Sequence, residues 1–166
     1  MKHIILIALL AISFNSFSQG ELPIKDGKVF YESIDSIKCT KAEAYIKAKT
    51  WFANTFNSAK SVIQLDDKDA GVIVGKGFTE KEAGNAFTGS IPQNVWYTIN
   101  ITIKDGKYRI QIYDVFLKNT DGYTSTAESI NKYPKMNKKF LKRIDDSCKD
   151  LIASLKAAMI KPVDNF

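Results

Sequence analysis

The sequence predicts an α+β fold, an antiparallel sheet with two helices on one face, and three local patterns predict it. Thr40 and Glu43 form a capping box ahead of a helical apolar spacing. Val95, Tyr97, Ile99, Ile101 and Ile103 alternate with polar residues and run into Asp105-Gly106, the signature of a hairpin. From Met136 to Met159 apolar residues return every three or four positions, as on one side of a long helix.

In chain order, the first segment is an export signal, residues 1–18. Lys2 and His3 precede an apolar run from Ile4 to Ile12, and Ser16-Phe17-Ser18 supplies a small-residue cleavage region before Gln19. The run is shorter than the about 20 residues a spanning helix needs, so no transmembrane segment is expected in the mature chain. The expected location is periplasmic or secreted. His3 is the only histidine, and on this reading it leaves with the signal.

Residues 19–166 read as one domain, a length at which a core buries about two-thirds of the unfolded chain's surface. The net charge of +6 falls by one when Lys2 is removed. A basic balance fits nucleic acid, anionic surfaces or plain solubility. Export argues against nucleic acid as a partner. Cys39 and Cys148 permit one disulfide in an oxidising compartment or two separate thiols, and spacing does not choose between them.

A first strand is expected from Lys28 to Ser36, and a helix from Lys41 whose Tyr45, Ala48, Phe52, Thr55, Phe56 and Ala59 share a face. Ser61–Leu65 and Gly71–Phe78 then read as a hairpin turned at Asp66, Asp67, Lys68, Asp69 and Ala70. Thr79–Gln93 reads as a loop. In the next hairpin Lys104 faces Lys107. This sets Ile103 against Tyr108, Ile101 against Ile110 and Ile99 against Ile112 on one face. The other face pairs Thr102 with Arg109, Asn100 with Gln111 and Thr98 with Tyr113. A polar loop from Leu117 through Pro134 leads to the last helix, with Met136, Phe140, Ile144, Cys148, Leu151, Leu155 and Met159 as its stripe and Pro162 as its stop.

The order strand, helix, four strands, helix carries a family resemblance. Leu22-Pro23 with Gly27-Lys28-Val29, Tyr45 with Ala48, Lys49 and Trp51, Asp69-Ala70-Gly71 with Gly75-Lys76-Gly77, and Lys104 to Tyr108 with Asp114 together resemble the exported bacterial domain of unknown function 4468. The resemblance implies a TBP-like fold over nearly all of the mature chain. It brings no activity or catalytic residue, and a shared fold does not carry a shared site.

Several motifs fail on mechanism. Gly71 to Gly77 lacks the spacing, the Ser or Thr after Lys76 and the following helix of a phosphate loop. Asp66, Asp67 and Asp69 lack the ligand order of a calcium loop and read as a turn. Ser129 and Lys132 have Ser-x-x-Lys spacing without companion motifs. Without histidine, imidazole-based nucleophilic catalysis and the usual zinc sites are excluded from the mature chain. A non-enzymatic protein without cofactor or metal is expected.

Two surfaces remain as binding candidates. Trp96, Arg109, Gln111 and Tyr113 fall on the sheet face away from the helices, and residues of this kind are enriched where partners dock. The competing reading is lateral packing of Trp96 and Tyr113 on neighbouring strands. Lys135, Lys138, Lys139, Lys142 and Arg143 make the last helix basic at its start, either as a solvated face or as a contact for an anionic envelope component. The expected function is therefore a binding module for a protein or cell-envelope polymer. The alternative is a carrier holding an apolar molecule between sheet and helices, lined by Trp51, Phe52, Phe56 and Phe140.

Overall fold

The computed structural model describes residues 21–56, 59–81 and 93–161. The expected export signal, most of the expected Thr79–Gln93 loop and Pro162 lie outside the described residues. Helix α1 is Lys41–Thr55, a single turn α2 is Ala59–Val62, α3 is Ala127–Asn131 and α4 is Pro134–Ile160. The strands are β1 (Ile24–Lys25), β2 (Lys28–Val29), β3 (Tyr31–Ser36), β4 (Ile63–Asp67), β5 (Val72–Lys81), β6 (Gln93–Lys104), β7 (Lys107–Asn119) and β8 (Thr124–Thr126). The main sheet is antiparallel in the order β3-β7-β6-β5-β4, with β8 pairing the end of β7. The expected α+β order is present, and α1 and α4 share one face.

Capping fixes where α1 begins. The Thr40 hydroxyl accepts from the Glu43 amide at 3.2 Å, and the Thr40 amide donates to Glu43 Oε2 at 2.8 Å. The Thr40 amide and the Thr40 hydroxyl, the latter at 2.9 Å, both donate to Glu43 Oε2, favour the charged carboxylate and hold Glu43 below the usual carboxylate range. The helix buries Ala44, Tyr45, Ala48, Trp51 and Phe52. Tyr45 donates to the carboxylate of Asp66, and Lys49 reaches the same group at 2.7 Å. Asp66 therefore anchors α1 to β4, whereas Asp67 accepts from the Ala70 amide at 2.8 Å and shapes the turn.

Glycines in β5 let the helix approach. A Cβ on Gly75 would lie 2.5 Å from Phe52 Cε1, and one on Gly77 would lie 2.9 Å from Phe56 Cε1. The rings sit on strand backbone, which is why a glycine-rich segment runs through a strand. Beneath them, Ile99, Ile101, Ile103, Ile110 and Ile112 are fully buried. Each such side chain stabilises the fold by about 1.5–3 kcal/mol relative to exposure. Helix α4 closes the same layer. Trp51 Nε1 donates to Ser154 Oγ at 2.9 Å, Lys47 to the Met159 carbonyl at 3.0 Å, and the Tyr31 hydroxyl to Asp145 at 3.1 Å.

Several expectations about the elements are corrected. The first strand breaks at Phe30, because the Phe30 amide donates to the Pro23 carbonyl and β1 and β2 form their own small hairpin. Ser61 belongs to α2, so β4 starts later, and β5 continues through Thr79 to Lys81. The polar stretch after Leu117 contains the end of β7, β8 and α3, and Pro134 opens α4 instead of preceding it. Met136 does not belong to the stripe. It is 84% exposed, whereas Leu141 is buried. Asn137 has non-helical angles (φ −103°, ψ 15°), and its side-chain amide donates to the Ile130 carbonyl at 2.8 Å. That kink puts the first turn out of phase with the rest of α4. Cys39 and Cys148 are free thiols, half-buried and buried, and burial pushes the Cys148 thiol up.

Replacing Gly75 with Val should destabilise the protein by about 1–3 kcal/mol, the usual cost of overpacking. Urea unfolding measures it, and a Gly75→Val midpoint equal to wild type would show that Phe52 does not rest on β5.

Candidate functional site

Strand register places the four residues of the expected surface on one face, with Arg109 opposite Thr102, six residues along β6 from Trp96. Thr102 pairs with Arg109, Asn100 with Gln111 and Thr98 with Tyr113, as the alternation requires. Trp96, Arg109, Gln111 and Tyr113 all lie on the face opposite α1 and α4, each half-buried.

Between Thr98 and Trp96 the register shifts by one residue, and Trp96 pairs with Phe116. Tyr97 thus faces two residues of β7, Asp114 and Val115. Asp114 takes the left-handed conformation, φ 50°, as the extra residue of a bulge. The bulge changes which side chains point where. Val115 and Leu117 turn into the core, at 1% and 3% exposure, and Phe116 turns onto the open face. Without the extra residue, alternation would expose Val115 and bury Phe116.

A row of rings results. Phe78 pairs with Trp96 across β5 and β6, with ring centroids 4.6 Å apart, and Trp96 stacks on Phe116 at 6.0 Å with an interplanar angle of 7°. Lys118 lies 5.8 Å from the Trp96 ring. Tyr113 stacks on Phe30 at 6.5 Å, and Lys25 lies 4.7 Å from the Phe30 ring. Lateral packing and a shared face are therefore both true of Trp96 and Tyr113. The Trp96 indole N–H is buried and has no hydrogen-bond partner among the described residues. A buried donor left unpaired costs about 1–3 kcal/mol.

Arg109 and Gln111 belong to a polar ladder beside the rings. Gln111 Nε2 donates to Glu32 Oε2 at 2.6 Å, Asn100 Nδ2 to Gln111 Oε1 at 3.5 Å, and Arg109 lies 3.9 Å from the same Glu32 carboxylate. The Tyr113 hydroxyl is pushed up, first by burial and then by Asp114. Phe30, Phe78 and Phe116 were not among the residues expected here. The step from Ile112 to Val115 and Leu117, three and then two, is the trace a bulge leaves in an alternating strand.

Other candidates resolve differently. In the basic start of α4, Lys142 pairs with Asp146 at 2.7 Å and Arg143 donates to Gln93 Oε1 at 3.0 Å, leaving Lys135, Lys138 and Lys139 exposed. Thr126 caps α3 by accepting from the Ser129 amide at 3.2 Å, and the Ser129 hydroxyl donates to the Thr126 carbonyl at 2.8 Å. Trp51, Phe52 and Phe56 pack on one another, with centroids 5.0 to 6.1 Å apart, while Phe140 lies elsewhere at the edge of a cleft. No cluster of potential metal ligands occurs among the described residues, and none of their helices is long and apolar enough to cross a membrane.

A family model described as a domain of unknown function (DUF4468) with TBP-like fold matches residues 30–117. A TBP-like protein from Parabacteroides distasonis ATCC 8503 is 21% identical with a TM-score of 0.69, over 82% of this chain and 96% of that one. A DUF4468 family protein from Bacteroides ovatus ATCC 8483 is 20% identical with a TM-score of 0.59, over 85% of this chain and 94% of that one. At these identities the two structures share the fold alone. No curated protein matches the chain.

The bulge lies inside the matched span and gives a direct prediction. Asp114→Gly should be neutral or stabilising, because glycine adopts positive φ freely and the lost Lys28–Asp114 pair, 3.9 Å and exposed, is worth little. Asp114→Val should cost about 1–2 kcal/mol. Equal melting of the two variants would contradict the left-handed conformation.

Proposed function

The chain belongs to the family of the domain of unknown function 4468 with TBP-like fold, and from that premise we propose that it is an exported, non-enzymatic binding module. It docks a protein or cell-envelope polymer on the open sheet face. The row Phe78, Trp96 and Phe116 carries this reading, because none of the described helices packs against that face.

Aromatic side chains offer large apolar contact at low conformational cost, and Trp, Tyr and Arg dominate the energetics of docking surfaces. Arg109 and Gln111 flank the rings with groups already oriented by Glu32. Preorganised polar groups lose less entropy when a partner arrives. Residues 1–18 support a periplasmic or secreted location, which leaves no role for nucleic acid. The absence of histidine after residue 18, together with the structural bonds that occupy Ser129, supports a role without catalysis. Carriage of an apolar molecule between sheet and helices is less favoured, since it would require displacing the Trp51, Phe52 and Phe56 cluster.

Cross-linking the tagged protein in intact envelopes tests the proposal. The captured partner should fall about tenfold or more with Trp96→Ala and with Arg109→Ala, variants whose circular dichroism matches wild type, and should persist with Lys139→Gln. Undiminished capture by both sheet-face variants would refute the docking surface.

A further inference from the structure

The positive charge of the chain is concentrated in one place. Lys132, Lys135, Lys138, Lys139, Lys142 and Arg143 fall between Glu128 and Asp145, a stretch without an acid, and outside it basic and acidic residues balance. The net charge of +6 therefore sits on the turn between α3 and α4 and on the first turns of α4. Lys135, Lys138, Lys139 and Lys142 recur at the spacing of one helix face, and all four are exposed. Lys142 pairs with Asp146 and Arg143 donates to Gln93. Lys132, Lys135, Lys138 and Lys139 have no anionic partner among the described residues.

Two large apolar side chains stand amid this charge. Met136 is 84% exposed and Tyr133 is 59% exposed. The backbone holds them there, because the Tyr133 carbonyl accepts from the Met136 amide at 3.2 Å and from the Asn137 amide at 3.1 Å. The Asn137 side chain pins the corner to the carbonyl of buried Ile130 at 2.8 Å. The kink that takes Met136 out of the core stripe thus delivers it to solvent, directly after Lys135 and one turn before Lys139. At that exposure Met136 protrudes and lines no groove, so a folded partner finds no pocket around it.

We propose that the corner between α3 and α4 docks on the surface of an anionic lipid bilayer. Met136 and the Tyr133 ring enter the boundary between headgroups and acyl chains, and the lysines meet the headgroup phosphates around them. Tyrosine suits that depth, since its ring is apolar and its hydroxyl stays wet. Lysine suits a fluid array of headgroups, because a point charge on a flexible stem demands no fixed orientation of its partner, unlike the guanidinium fork. Each lysine near such a surface strengthens binding about fivefold. None of the described helices is long and apolar enough to cross a membrane, so this contact lies on the bilayer. Helix α4 packs on the side of the sheet away from the aromatic row, and the corner stands whether or not that row docks a partner.

Sedimentation with vesicles of phosphatidylglycerol and phosphatidylcholine tests the proposal, with pure phosphatidylcholine vesicles and soluble heparin for comparison. The protein as purified from cells should bind the anionic vesicles, release as salt rises toward about 1 M, and ignore phosphatidylcholine. Lys135→Gln, Lys138→Gln and Lys139→Gln together should weaken binding about a hundredfold, and Met136→Ser alone about tenfold. The replaced side chains are exposed, so circular dichroism and melting should match wild type. The indole of Met136→Trp should shift its emission to the blue on anionic vesicles, since insertion takes it out of water. All variants share one N-terminus, so residues ahead of the domain contribute equally to each. No binding to anionic vesicles, full binding by the triple lysine variant, or no blue shift would overturn the corner. Loss of binding in Trp96→Ala equal to that of the lysine variant would move the lipid contact to the sheet face and overturn it as well. Binding that Met136→Ser leaves intact and that heparin matches would mark a site for soluble polyanions and overturn the bilayer.

Discussion

One extra residue in β7 governs the surface chemistry of this domain. Asp114, held at φ 50°, lets Tyr97 face two residues and shifts every side chain beyond it to the other face. Ahead of it, Ile110 and Ile112 point inward, and after it Val115 and Leu117 do so. Apolar residues therefore stay in the core along the whole strand, although their spacing in sequence is irregular. The same shift carries Phe116 out to stack on Trp96.

The second constraint is one-sidedness. Phe52 and Phe56 sit where Gly75 and Gly77 lack side chains, and α4 is tied to the same layer through Trp51, Lys47 and Tyr31. Strong packing on one face leaves β5, β6 and β7 to present Phe78, Trp96 and Phe116 on the other. Antiparallel sheets accept one covered and one open face, but the open face is ordinarily polar. Here rings and a Glu32–Gln111–Asn100 ladder lie side by side, which combines apolar area with fixed polar direction.

Much of this was legible in the chain. The capping box placed the start of α1, and the Asp105-Gly106 turn fixed the β6–β7 register as far as Thr98 and Tyr113, since a slip would have turned the isoleucines outward. The element order followed from these periodicities. Beyond Tyr113, alternation alone would assign the wrong faces, because a bulge is set by a single backbone conformation. Its trace, the three-residue step from Ile112 to Val115, is short. Phe78 was placed in a strand, but the intervening residues 82–92 hide its pairing with Trp96. At the other end, Met136 fitted the helical period and failed in space because the Asn137 kink rotates the first turn. Arg143 reads as one of five surface cations, but its guanidinium donates to Gln93, fifty residues earlier, a contact that no local pattern announces.

Nuclear Overhauser contacts of the Phe116 ring test the central claim most directly. The account predicts contacts from Phe116 to the Trp96 indole, with Val115 and Leu117 contacting core residues. Contacts from Phe116 to the buried isoleucines, with Val115 open to solvent, would mean that β7 runs without its bulge and that the aromatic row does not exist.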